Sequence, residues 1–82
     1  MQVFVSRKVN KKLKKYPEFV KIRVKEAIEL LRDFPTVRMD IIKIGGEKNT
    51  YRARIGEFRI IFVFEADALF VIDAEIRSKA YK

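Results

Sequence analysis

Three arginines in the segment YRARIGEFRIIFVFE carry the strongest chemical signal in this chain. From Thr50 to Ile55 the residues alternate, with Tyr51, Ala53 and Ile55 on one side and Arg52 and Arg54 on the other, the pattern of a half-buried strand. Phe58 to Phe64 reads as a second strand, and the link Gly56-Glu57, glycine first, suits a type II′ hairpin turn. Counting outward from that turn sets Ile55 opposite Phe58, Arg54 opposite Arg59, Ala53 opposite Ile60 and Arg52 opposite Ile61. Arg52, Arg54 and Arg59 therefore share one face of the sheet. Like charges directly across a ladder destabilise it, and a guanidinium does not relieve the repulsion by losing its proton. An anion filling the gap resolves the conflict. The alternative is a polar face whose arginines splay into water.

Composition narrows the chemistry further. Lysine and arginine total 19 against 11 aspartates and glutamates, a formal charge of +8, so the expected partner is polyanionic: nucleic acid, or else an acidic protein segment or an anionic membrane surface. The absence of cysteine removes disulfides, thiol nucleophiles and cysteine zinc sites, and the absence of histidine removes the usual general base and the commonest metal ligand. Any reaction must run on Arg, Lys, Tyr and carboxylates, and neither a metal nor another cofactor is expected. The start, MQVFVSRKVN, lacks the apolar core of a signal peptide. The most apolar stretch, 58–76, is interrupted by Arg59, Glu65, Asp67, Asp73 and Glu75 and cannot span a bilayer. A cytoplasmic protein without a membrane partner is expected, with a single domain over residues 1–82.

The elements that must position the arginines follow from periodicity. Gln2 to Ser6 reads as a short strand, with Ser6 placed to cap a helix over Arg7 to Tyr16. There Val9, Leu13 and Tyr16 recur at helical spacing beneath a lysine-rich outer surface. Pro17 stops that helix and can open a second one running to about Phe34, with Val20, Val24, Ala27, Ile28, Leu31 and Phe34 as its apolar stripe. The two helices form a hairpin that can lay one greasy side on a sheet. Asp40 to Ile44 reads as a strand, Gly45 to Asn49 as its turn, and Ala68 to Ile76 as the last strand. Phe58 to Phe64, apolar on both faces apart from Arg59, reads as a central strand.

Other features have two readings each. Lys8, Lys11, Lys12 and Lys15 can track a phosphate backbone or form a solvated helix face. Gly45-Gly46 lies in no phosphate-loop pattern and reads as a turn. Phe58, Phe62, Phe64 and Phe70 can be proposed as base-stacking groups, but their alternation places them in the core. Arg77, Lys79 and Tyr81 lie beyond the last strand, where packing makes few demands. A tyrosine beside cations can stack on a base or donate a proton, or merely anchor a terminus.

Together, the tyrosine followed by alternating basic residues, the turn GEFR and the tail IRSKAYK resemble the RelE/ParE toxin superfamily over nearly the whole chain. The resemblance implies an α+β fold: an N-terminal strand, an antiparallel helical hairpin, then a three-strand antiparallel meander in one sheet, with the helices on one face. For a RelE-like member it implies the toxin of a type II toxin–antitoxin system, a metal-independent endoribonuclease that cleaves messenger RNA in the ribosomal A site. Its partners are then the ribosome, the message and a RelB-like antitoxin held in a heteromeric complex. By position, Arg52, Arg54, Arg59, Arg77 and Tyr81 match the catalytic set, while Lys8, Lys11, Lys12, Lys15 and Lys79 are the expected RNA and ribosome contacts. Better-known bacterial members have lysines where Arg52 and Arg54 stand. Arginine stays protonated at any ordinary pH and is a poor base, so Tyr81 and Glu75 become the candidates for the proton acceptor. The alternatives are a ParE-like gyrase inhibitor without catalysis and a non-toxic RNA- or protein-binding module.

Overall fold

The computed structural model describes residues 1–76. Its elements are β1 (Gln2–Val5), α1 (Arg7–Leu13), α2 (Glu18–Leu30) tightening into a 3-10 turn (Leu31–Asp33), β2 (Asp40–Lys43), β3 (Thr50–Ile55), β4 (Phe58–Glu65) and β5 (Ala68–Ile76). Ser6 caps α1, its Oγ accepting the Val9 N–H at 3.2 Å. The helix ends at Leu13, short of the expected Tyr16, because Pro17 disfavours helical backbone just before it and residues 14–16 form a turn instead.

The strands form one sheet in the order β1-β5-β4-β3-β2, antiparallel except where β1 runs parallel to β5. The expected meander is extended by β2, which pairs with β3, and β4 occupies the middle of the sheet as its two apolar faces require. One face is buried by both helices. Val9 and Leu13 of α1, and Val20, Val24, Ala27 and Ile28 of α2, pack with Ala53, Phe58, Ile60, Phe62, Leu69, Val71 and Ala74. Phe34 closes one end of this core, edge-on to Tyr51, Phe62 and Phe64.

Two turns and one bulge fix the register. Gly56, at φ +56°, followed by Glu57 at negative φ, matches the type II′ pattern between β3 and β4. Between β4 and β5 both connecting residues, Ala66 (φ +51°) and Asp67 (φ +56°), are left-handed, the type I′ arrangement without the glycine or asparagine that favours it. In β5, Asp73 pairs with Ile61 and Val71 with Phe62, leaving Ile72 as the extra residue of a bulge.

Candidate functional site

The hairpin register is the one obtained by counting: Ile55 pairs with Phe58, Arg54 with Arg59, Ala53 with Ile60 and Arg52 with Ile61. Opposed residues of an antiparallel pair lie on the same face. Arg52, Arg54 and Arg59 are therefore together on the face opposite the helices, and Arg54 is the most exposed of them. Two adjoining hollows of about 290 and 70 Å³ share Arg54 and Arg59 in their walls. Among the described residues, none of the three arginines forms an ion pair.

The full sheet adds something the hairpin alone does not reveal. Asp40 of β2 pairs with Arg54, and Glu75 of β5 pairs with Arg59. A row of four charges thus crosses the sheet, Asp40, Arg54, Arg59 and Glu75, with the two cations in the middle. The outer carboxylates temper the repulsion inferred from the arginines alone, but they leave the central pair open to an anion from above. Their alignment depends on which strands flank the hairpin, and a sheet order is not legible from two strands.

Lys8, Lys11 and Lys12 of α1 and Lys15 of the turn that follows it line a common hollow. Two of them are already engaged: Asp73 accepts from Lys8 at 3.3 Å and from Lys12 at 2.9 Å, and Lys12 also donates to the Ala74 carbonyl at 3.1 Å. Lys12 thereby satisfies an edge carbonyl of β5 beyond Val71, where the pairing with β1 ends. Burial pushes the Asp73 carboxyl up, yet hydrogen bonds from Lys12, the Ala74 N–H and Lys8 outweigh it and hold the group below the usual carboxylate range. Lys8 and Lys12 thus share a carboxylate from β5, a strand distant in sequence. Among the described residues, only Lys11 and Lys15 of this set have no ion pair.

Of the expected core phenylalanines, Phe58 and Phe62 are buried and Phe64 packs on Phe34. Phe70 instead stands on the arginine face, because the bulge reverses the alternation of β5. Arg77, Lys79 and Tyr81 lie outside the described residues. Among the described residues there is no group of three or more carboxylates that could hold a metal ion, and no helix is long and apolar enough to cross a membrane.

No protein-family model matches this chain. A protein of Methanocaldococcus jannaschii, provisionally named toxin RelE1, is 36% identical to it, with 98% of this chain and 93% of the relative covered. Among solved structures, a RelB–RelE antitoxin–toxin complex from Methanococcus jannaschii matches with a TM-score of 0.73 at 28% identity, covering 90% of this chain and 89% of the other. An archaeal RelE–RelB complex from Pyrococcus horikoshii matches with a TM-score of 0.73 at 25% identity, over 95% and 96% of the two chains.

Proposed function

Because this chain belongs to the RelE toxin family, we propose that it is the toxin of a type II toxin–antitoxin system and cleaves messenger RNA in the ribosomal A site. The observation that carries this reading is the Arg54–Arg59 pair at the centre of an open sheet face, with no ion pair to any described residue. Each guanidinium can offer two parallel N–H donors to a phosphate.

In the reaction, a ribose 2′-oxygen forms a bond to the adjacent phosphorus and the bond from phosphorus to the 5′-oxygen breaks. The 2′-hydroxyl proton passes to a base, and the leaving oxygen takes up a proton. Arg59 stabilises the charge growing on the phosphoryl oxygens, and Arg54 and Arg52 hold the strand beside it. Much of the barrier reduction comes from orientation, with the ribosome presenting the bent strand. Glu75, the cross-strand partner of Arg59, is the proton acceptor in this reading. Arg77 supports the strand, and Tyr81 stacks on a base or protonates the leaving oxygen. The protein acts in the cytoplasm, where its ribosomal target resides.

A RelB-like antitoxin is the proposed partner. The solved relatives are complexes with RelB, and α2 here leaves Phe19, Ile22 and Leu30 about half exposed, apolar surface that a partner helix can cover.

Ribosomes carrying a defined message test the central claim. Wild-type protein should cut the message only when ribosomes are present. Arg59→Ala should lose cleavage by two or more orders of magnitude, the scale expected for one electrostatic contact to a transition state. Its folding stability should move by no more than about 0.5 kcal/mol, as for a surface substitution. A folded Arg59→Ala protein cutting at the wild-type rate refutes the site. Gyrase inhibition without RNA cleavage would replace the reading altogether.

A further inference from the structure

The arginine face continues toward β1 into an aromatic pair that the proposed chemistry does not use. Phe4 pairs with Phe70, and Phe70 with Val63. The two rings stack with centroids 5.2 Å apart and planes inclined by 14°. Phe4 is 46% exposed and Phe70 38%. Phe70 stands here only because of the bulge: Ala74 is buried, so unbroken alternation would turn Ile72, Phe70 and Ala68 to the core, whereas Leu69 and Val71 are the buried residues. Bulges re-aim side chains beside functional sites, and this one adds a large aromatic surface to the face that holds the arginines. From Arg59, Phe70 is reached by four residues along β4 and one strand across, roughly 14 Å. That distance lies within the reach of about four nucleotides, the smallest site typical of single-strand-binding folds. Ile61 and Val63 form the surface between them along β4.

We propose that Phe4 and Phe70 form a stacking platform for an unpaired nucleobase of the same RNA strand whose phosphate Arg54 and Arg59 hold. The inference rests on the function proposed above and adds a second contact point, one that fixes the direction of the strand across the sheet. Stacking suits this site because every base offers a π face, so the platform needs no hydrogen-bonding code. Arg54 and Arg59 stand on the same face with no ion pair to any described residue, which favours RNA over an apolar protein segment, since such a segment would bring no anion to that pair.

The chain contains no tryptophan, so Phe70→Trp introduces a single indole reporter at the platform. A short oligoadenylate should quench its fluorescence, and an abasic strand of the same length should not. The double variant Phe4→Leu, Phe70→Leu keeps the surface apolar but removes both rings. Its affinity for oligoadenylate, measured without ribosomes, should fall about tenfold, with an unchanged slope against salt because the phosphate contacts persist. Arg59→Ala should instead reduce that slope by about 0.7. Thermal unfolding of each variant checks that the fold is retained. Equal quenching by the abasic strand, undiminished binding by a folded leucine variant, or no binding by the wild type overturns the platform. So does a leucine variant that binds RNA normally but loses an antitoxin, which would make this face a protein contact. Because the readout is binding without ribosomes, the platform can fail while Arg59→Ala still abolishes cleavage, and a failure of the arginine site is seen separately in the cleavage assay.

Discussion

Arg59 has a different neighbour on each side, and the contrast decides which residue can do which job. Across β3 it meets Arg54, and across β5 it meets Glu75. A guanidinium grips a phosphate but accepts no proton at working pH. The carboxylate in the same row can accept one. Glu75→Gln should therefore lower the maximal cleavage rate more than the ribosome affinity. If Glu75→Gln cleaves at the wild-type rate and Tyr81→Phe does not, the base is the tyrosine. If Tyr81→Phe is fully active and Tyr81→Ala is not, the ring stacks and the hydroxyl is idle. At this scale the sequence was highly legible for the arginines, since a strand period and a two-residue turn dictate their register. The flanking Asp40 and Glu75, and the outward turn of Phe70, were not legible. The first two depend on strands distant in sequence and the last on a bulge that leaves no local signature in ALFVIDAEI.

Helices and strands were equally readable where their apolar periods are strong. The stripe from Val20 to Leu31 is buried as spaced, and Ser6 caps where it should. The β4–β5 turn was harder to read, because Ala66 and Asp67 adopt a geometry their types disfavour. Alanine in left-handed backbone costs roughly 1–2 kcal/mol, and here the cost is imposed by the β4–β5 pairing on either side of the turn. An asparagine-glycine pair suits two consecutive left-handed residues, so the double substitution Ala66→Asn, Asp67→Gly should raise stability by about 1 kcal/mol or more. Urea midpoints will show it. By contrast, Gly56→Ala should destabilise by about 1 kcal/mol or more, since a Cβ finds open space there yet φ is +56°. A Gly56→Ala protein as stable as wild type would mean that the arginine hairpin tolerates another turn, and the alignment of Arg54 with Arg59 would lose its structural reason.

For the whole molecule, a formal charge of +8 must serve both folding and encounter with a polyanion, and Asp73 separates the two roles among the α1 lysines. Its folded-state carboxyl is held below the unfolded value by Lys12, the Ala74 N–H and Lys8, so the stability it provides is present above about pH 4, the usual aspartate range. That stability is lost as pH falls through the folded value. The stability difference between wild type and Asp73→Asn should accordingly shrink between neutral pH and about pH 3. A constant difference would show that Lys8 and Lys12 contribute nothing through this carboxylate. Lys11 and Lys15, by contrast, line the same hollow without an ion pair to any described residue. Charge reversal at all four positions would therefore confuse lost folding with lost docking, whereas reversal of Lys11 and Lys15 alone isolates docking. The Lys11→Glu, Lys15→Glu protein should unfold near the wild-type midpoint yet bind ribosomes much more weakly at low salt. The deficit should narrow as ionic strength rises, because the attraction removed is one that salt already screens. Saturating ribosomes should restore most of the cleavage rate, since these lysines lie on α1 and the turn after it rather than on the sheet that carries Arg59. Wild-type affinity at low salt would remove α1 from the ribosome-facing surface and leave its lysines as a solvated face secured to β5 through Asp73.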